Sequence, residues 1–197
     1  MSERIEAHRH EEVIISGFGG QGALFAGQLL TYAGMDEGRD VTWIPSYGPE
    51  MRGGTAHCTI IISDEAIGSP IIYNPTSCIV LNPESMDKYE PLVRPGGFLV
   101  INTSLVRSRS GRTDITIVEA PANDLANELG STKIANLILL GALLGANPIV
   151  RIESVKKALD EHVPENRRHI IEPNKRALDR GAALARQQHS TPHPGGI

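Results

Sequence analysis

The chain has 197 residues and a mass of 21.3 kDa, with 40% hydrophobic and 21% charged residues, the proportions of one folded domain. Its 19 Lys and Arg against 23 Asp and Glu give a formal charge of −4 with no long basic run, which argues against nucleic-acid and anionic-membrane binding. Two cysteines, Cys58 and Cys78, are too few for an Fe–S cluster or a structural zinc site on this chain alone, and both lie in apolar runs that read as buried strands.

In chain order, residues 1–11 form a charged segment without an apolar stretch of signal-peptide type. A flexible terminus and a cytosolic protein are the expectations. A β-branched run at 12–16 feeds Gly17-Phe18-Gly19-Gly20-Gln21-Gly22, and Ala23, Leu24, Ala26, Leu29, Leu30 and Ala33 then recur at helical spacing. With a strand at 41–44, the stretch 13–44 reads as a βαβ unit. Alternation returns at 55–62. Residues 79–82 read as a buried strand, 83–94 as a helix, 98–102 and 115–118 as strands.

Asn123 or Asp124 is placed to cap a helix through Leu129 that ends at Gly130, and Ser131 to cap the next. That next stretch, 134–146, is interrupted by Asn136 and too short to span a bilayer. Its Gly141-x-x-x-Gly145 allows close packing of another element, another subunit included. An amphipathic helix is expected at 151–162 and a last one from Pro173 to about 188, followed by a flexible tail at 189–197. Strands alternating with helices predict one three-layer α/β/α domain over 12–188, with a largely parallel sheet and a Rossmann-like glycine turn after the first strand.

Two segments carry chemistry. The 17–22 turn satisfies G-x-G-x-x-G between strand and helix, where close backbone approach and a helix N-terminus favour phosphate. Three readings stand: an NAD-type site, a structural turn, or another phosphate contact. A ribose-binding acid is missing at the end of the second strand, where Pro45 and Ser46 follow instead. The second segment, Ser46-Tyr47-Gly48-Pro49-Glu50-Met51-Arg52-Gly53-Gly54, holds Glu50 and Arg52 on a loop stiffened by proline and shaped by glycine. It is suited to orienting a partner or an anionic group, or is a solvated turn with a local ion pair. Of seven scattered histidines none has a ligand partner at motif spacing, and His57 reads as a strand residue satisfied by hydrogen bonds.

Taken together, the Ser16–Gly22 turn, the Pro45–Gly54 loop and Ile62-Ser63-Asp64 resemble the gamma subunit of 2-oxoacid:ferredoxin oxidoreductases. Matches continue through Ile67, Pro70, Lys88-Tyr89, Pro95-Gly96-Gly97, Pro121-Ala122, Ala126-Asn127-Glu128-Leu129-Gly130, Ala135-Asn136 and Leu140-Gly141-Ala142, over about residues 12 to 165. Ser77 departs from the aspartate common in relatives. The resemblance implies a cytoplasmic hetero-oligomer that converts a 2-oxoacid (pyruvate, 2-oxoglutarate or ketoisovalerate among others) and coenzyme A (CoA) to acyl-CoA, CO2 and reduced ferredoxin. Alpha and beta partner subunits and a ferredoxin-like delta subunit or external ferredoxin are implied, with thiamine diphosphate, Mg and Fe4S4 on those partners. The residues expected to face CoA or the subunit interface are Gly17, Gly19, Gly20, Gln21, Gly22, Ser46, Tyr47, Gly48, Glu50, Arg52, Gly53 and Gly54. A stand-alone NAD(P)-binding oxidoreductase and a non-catalytic scaffold subunit are the alternative readings.

Overall fold

The computed structural model describes residues 9–48 and 54–190. Among them, β1 (His10–Phe18), α1 (Ala23–Asp36), β2 (Asp40–Tyr47), β3 (Thr55–Ser63), β4 (Ser77–Val80), α2 (Pro83–Tyr89), β5 (Phe98–Asn102), β6 (Thr116–Ala120), α3 (Ala122–Glu128), α4 (Ala135–Ala146), α5 (Ile152–His162) and α6 (Ile171–Ser190) follow in chain order. The six strands form one sheet in the order β2-β3-β1-β4-β5-β6. β1, β4, β5 and β6 are mutually parallel, while β3 runs antiparallel to both β1 and β2. Only β3 is reversed, so the sheet is largely parallel.

The βαβ unit exists with a strand inserted in it. β1, α1 and β2 make the crossover, but β2 returns directly as a hairpin and β3 takes the place beside β1. The register Ser16↔His57 and His57↔Ser46 puts one residue from each of the three strands side by side. β1 begins at His10, inside the segment expected to be a flexible leader, because His10 and Glu11 pair with Ser63 and Ile62 whatever their polarity. α6 reaches Ser190. The flexibility expected of 1–8 and 191–197 falls outside the described residues.

Helices cover the two faces unequally. Val13, Ile15, Cys58, Ile60, Ile62, Ile79, Val100 and Val118 form the larger core with residues of α1, α3, α4, α5 and α6. On the other face Ile14, Cys78, Val80, Leu99 and Ile101 pack under Met86 and Tyr89 of the short α2 and under Val93 and Val106. Buried on both faces, the central strands are apolar along their length.

Several element ends differ from the sequence reading for local reasons. The fourth strand is Ser77–Val80, and Asn82 leaves it to cap α2, its Oδ1 accepting from the Ser85 N–H at 2.8 Å. α2 stops at Tyr89 and tightens into a 3-10 turn over Glu90–Leu92, since Pro91 cannot continue the ladder. α3 starts at Ala122. Its free N–H groups are met from outside the helix: Asn102 Oδ1 accepts from Ala122, and Ser104 Oγ accepts from Asn123 and Asp124. The Gly141-x-x-x-Gly145 face is covered by this chain's own α6. A Cβ on Gly141 would meet the Leu178 carbonyl, and one on Gly181 would meet that of Ile138.

Candidate functional site

Helix α1 leaves β1 onto one face of the sheet, and α2 leaves the neighbouring parallel β4 onto the other. Between the carboxyl ends of β1 and β4 the chain therefore parts to both sides and leaves a crevice, the place where open α/β sheets hold ligands. The glycine turn and the Leu81–Asn82 exit from β4 form its walls. A Cβ on Gly17 would lie 2.9 Å from the Leu81 Cβ, so glycine is what lets the two walls meet.

The turn is tied at three places. The Phe18 N–H donates to Gln21 Oε1 at 2.6 Å, and the Gln21 N–H donates to the Phe18 carbonyl at 3.1 Å. The Gly19 N–H donates to the Gly54 carbonyl at 2.8 Å, which fixes the turn to the β2–β3 hairpin. The Gly22 carbonyl accepts from Ala26 and from Nδ2 of the buried Asn136, both at 3.0 Å. Gly20 (φ 95°) and Gly22 (φ 79°) adopt left-handed backbone that other residues enter at a cost, and nothing lies within 4 Å of a Cβ built on Gly20.

These bonds leave the Gly20 and Gly22 N–H groups, and those of the first turn of α1, without partners among the described residues. No acidic side chain lies in that first turn. The partial positive charge of the 14-residue α1 thus faces the crevice with no acid in the helix's own first turn, an arrangement that binds anions. Of the expected residues, Gly17, Gly19, Gly20, Gln21 and Gly22 build this turn, with Gly19 and Gln21 already donating within the chain. Gly54 is brought against it, Ser46 and Tyr47 end β2 alongside, and Gly48 follows, its N–H donating to the Thr55 carbonyl at 2.6 Å. Tyr47 is 72% exposed. Glu50, Arg52 and Gly53 lie outside the described residues.

The opposite lip was not legible in the sequence. Ser16 Oγ lies 2.8 Å from Ser85 Oγ of α2, and the His57 ring centroid lies 5.8 Å from that of Tyr89. Lys88 Nζ sits 4.9 Å from the centre of the Tyr89 ring. Expected to be satisfied by hydrogen bonds, His57 has no hydrogen-bond partner among the described residues. Burial, and then the charge of Lys88, hold its pKa below 6.5. The sequence places His57 in a strand; the pairing register and the course of α2 bring Ser16, Ser46, Lys88 and Tyr89 to it.

Elsewhere the singled-out residues serve the fold. Asp64 pairs with Arg39 at 2.7 Å and accepts from the Arg9 N–H at 2.8 Å, at the amino end of β1 and away from the crevice. Cys58 and Cys78 are buried. Burial pushes the Cys58 thiol up to about 12 and raises that of Cys78 as well, so both stay protonated and unreactive. Sequence spacing gave the histidines no ligand partner, yet the fold gathers exposed Asp36, Glu161 and His162 with ligand atoms within 4.8 Å. Lys157 already stands 3.9 Å from Asp36 and 3.6 Å from Glu161. No helix among the described residues is long and apolar enough to cross a membrane.

Comparison with known proteins adds context to this geometry. The model of the pyruvate ferredoxin/flavodoxin oxidoreductase family matches residues 12–184. The chain is 36% identical over 177 residues to the ketoisovalerate oxidoreductase subunit VorA of Methanothermobacter thermautotrophicus, covering 89% of this chain and 36% of that protein. It spans about a third of that relative's length. The crystal structure of a keto/oxoacid ferredoxin oxidoreductase gamma subunit from Geobacter sulfurreducens superposes with a TM-score of 0.78 at 29% identity, over 90% of this chain and 97% of that one. A 2-oxoglutarate:ferredoxin oxidoreductase from Magnetococcus marinus, with 2-oxoglutarate, coenzyme A and succinyl-CoA bound, shares the fold with a TM-score of 0.81 at 21% identity. That match covers 91% of this chain and 31% of the other.

Proposed function

The chain belongs to the pyruvate ferredoxin/flavodoxin oxidoreductase family, and from this premise we propose that it is the gamma subunit of a cytoplasmic, multi-subunit 2-oxoacid:ferredoxin oxidoreductase. The observation that carries the reading is the family match over residues 12–184, supported by a likeness that covers 97% of a solved gamma subunit. The reaction converts a 2-oxoacid and CoA to acyl-CoA and CO2, with two electrons leaving for ferredoxin.

This chain's share of the work is to bind and orient. A four-thiolate cluster does not fit it, because its two cysteines are both buried and held protonated. Decarboxylation and electron transfer are therefore assigned to thiamine diphosphate, Mg and Fe4S4 on alpha, beta and ferredoxin-like partners. The free N–H groups of Gly20, Gly22 and the first turn of α1 receive an anionic part of CoA, and the Arg52 side chain, on the loop next to Gly54, adds a cation. Gly17, Gly19, Gln21, Gly48 and Gly54 hold the turn and the hairpin in shape. Ser46, Tyr47, Glu50 and Gly53 face CoA or the neighbouring subunit.

An NAD(P) site is the poorer fit. Dinucleotide folds place the end of the second strand beside the first, where its acid reaches the ribose, whereas here β3 stands between β1 and β2. In the assembled enzyme, Arg52→Ala raises KM for CoA about tenfold, the loss of one charge-assisted contact, while the complex keeps its size. An unchanged KM in an intact complex removes Arg52 from CoA binding. A complex that falls apart assigns the loop to subunit contact instead.

A further inference from the structure

At the α2 lip of the crevice, Lys88 of α2 and His57 of the facing β3 are two basic side chains without counter-ions among the described residues. Ser16, His57 and Ser46 stand in register across β1, β3 and β2, so their side chains share one face of the sheet. Two residues further down each strand the same face carries Ile14, Thr59 and Ile44. Only Thr59 is polar in that lower row, whereas the row at the rim, next to the glycine turn, is all polar. Across this row lies α2, with Ser85 against Ser16, Tyr89 beside His57, and Lys88 exposed at its outer edge.

Lys156, Lys157 and Lys175 all hold carboxylates within 4.0 Å; Lys88 and Lys133 hold none among the described residues, and of these two it is Lys88 that stands by Tyr89 and acts on His57. The His57 ring likewise makes no hydrogen bond there. We propose that His57 and Lys88, with the Ser46 hydroxyl, form a second anion subsite in the same crevice, one that takes a phosphate monoester at the far end of a ligand whose first anionic group lies at the glycine turn. The inference rests on the reading of this chain as a CoA-binding subunit, and it assigns the two lips to two separate phosphate groups of one molecule.

A phosphate monoester suits these groups better than a carboxylate. It carries up to two negative charges near neutral pH, so it can meet both an ammonium and an imidazolium and still accept from a hydroxyl. The groups facing His57 are Lys88, Tyr89 and Ser85 from α2, Ser16 from β1 and Ser46 from β2; among the described residues no carboxylate acts on it. Without a ligand, Lys88 opposes protonation of His57. A dianion between them reverses that balance, so binding carries a proton onto the imidazole.

The test is calorimetric titration of the complete protein, with whatever subunits it carries, using CoA and its 3′-dephospho analogue as probes. In the wild type CoA binds about tenfold more tightly than the dephospho form and takes up protons near pH 7, seen as heats that depend on the buffer's ionisation enthalpy. Lys88→Gln and His57→Gln each shrink the difference between the probes and leave dephospho-CoA binding within about twofold, and His57→Gln abolishes the proton uptake. Lys88 is exposed, so its variant keeps the fold even if that of His57 does not. Equal weakening of both probes, or no change in either, overturns the subsite while leaving CoA binding in place. If the wild type binds neither probe, the CoA reading fails and the subsite fails with it.

Discussion

His57 packs its ring beside Tyr89 and within the field of Lys88, and both burial and that charge favour the neutral imidazole. The proton NMR signal of its ring should therefore titrate below 6.5. In Lys88→Gln the value rises but stays below 6.5, because burial is the larger cause and is untouched. A wild-type value at or above 6.5 contradicts the packing described for α2. The sign for stability follows. The folded value lies below the unfolded one, so the unfolded chain binds the proton more readily. This group's contribution to stability is present above pH 6.5 and is lost as the pH falls through the folded value. At the turn, Gly22 combines a φ of 79° with the close approach of Asn136, two separate reasons for a glycine that the spacing of the motif alone does not reveal.

Between elements, the tightest joint is that of α4 with α6. Gly141, Gly145 and Gly181 bring the two backbones so close that an added Cβ at any of them would strike a carbonyl oxygen of the facing helix. Gly181→Ala should destabilise the fold by about 1–3 kcal/mol, the usual cost of overpacking a rigid contact. Urea unfolding measures it, and an unchanged midpoint would show that the helices can slide apart at no cost. The existence of these helices was legible from their apolar spacing, and so was the tolerance of α4 for a close neighbour. Which neighbour was not, because nothing local to 141–145 points to residues 178–182. The same limit explains α3. Its caps come from Asn102 and Ser104 across the sheet, so Asn123 and Asp124 look like caps in sequence but donate to one in the structure. At the edges of the sheet, β6 is closed by Gln188, whose amide accepts from the Glu119 N–H at 3.3 Å and donates to its carbonyl at 2.6 Å. Strand β2 runs along the opposite edge, with Ile44 at 44% exposure and Pro45 withholding an N–H.

For the whole molecule, the inserted β3 is the decisive departure from the pattern read in the sequence. A strand, a glycine turn, a helix and a second strand are all present as expected, yet the hairpin places β3 beside β1 and ties Gly54 to Gly19. The hairpin thereby comes against the glycine turn through the Gly19–Gly54 hydrogen bond, which supports reading the ends of the two motifs as one site. Among the described residues its open side offers unpaired N–H groups, two basic side chains and no thiolates, which supports the proposal of a subunit that grips a polyanionic co-substrate. The most direct test of that account is anaerobic affinity purification of the tagged chain from its own cells, with mass spectrometry of the proteins retained. The account predicts a thiamine-diphosphate-binding subunit and a ferredoxin-like protein in stoichiometric amounts. Recovery of this chain alone, under conditions in which other complexes stay whole, would contradict it.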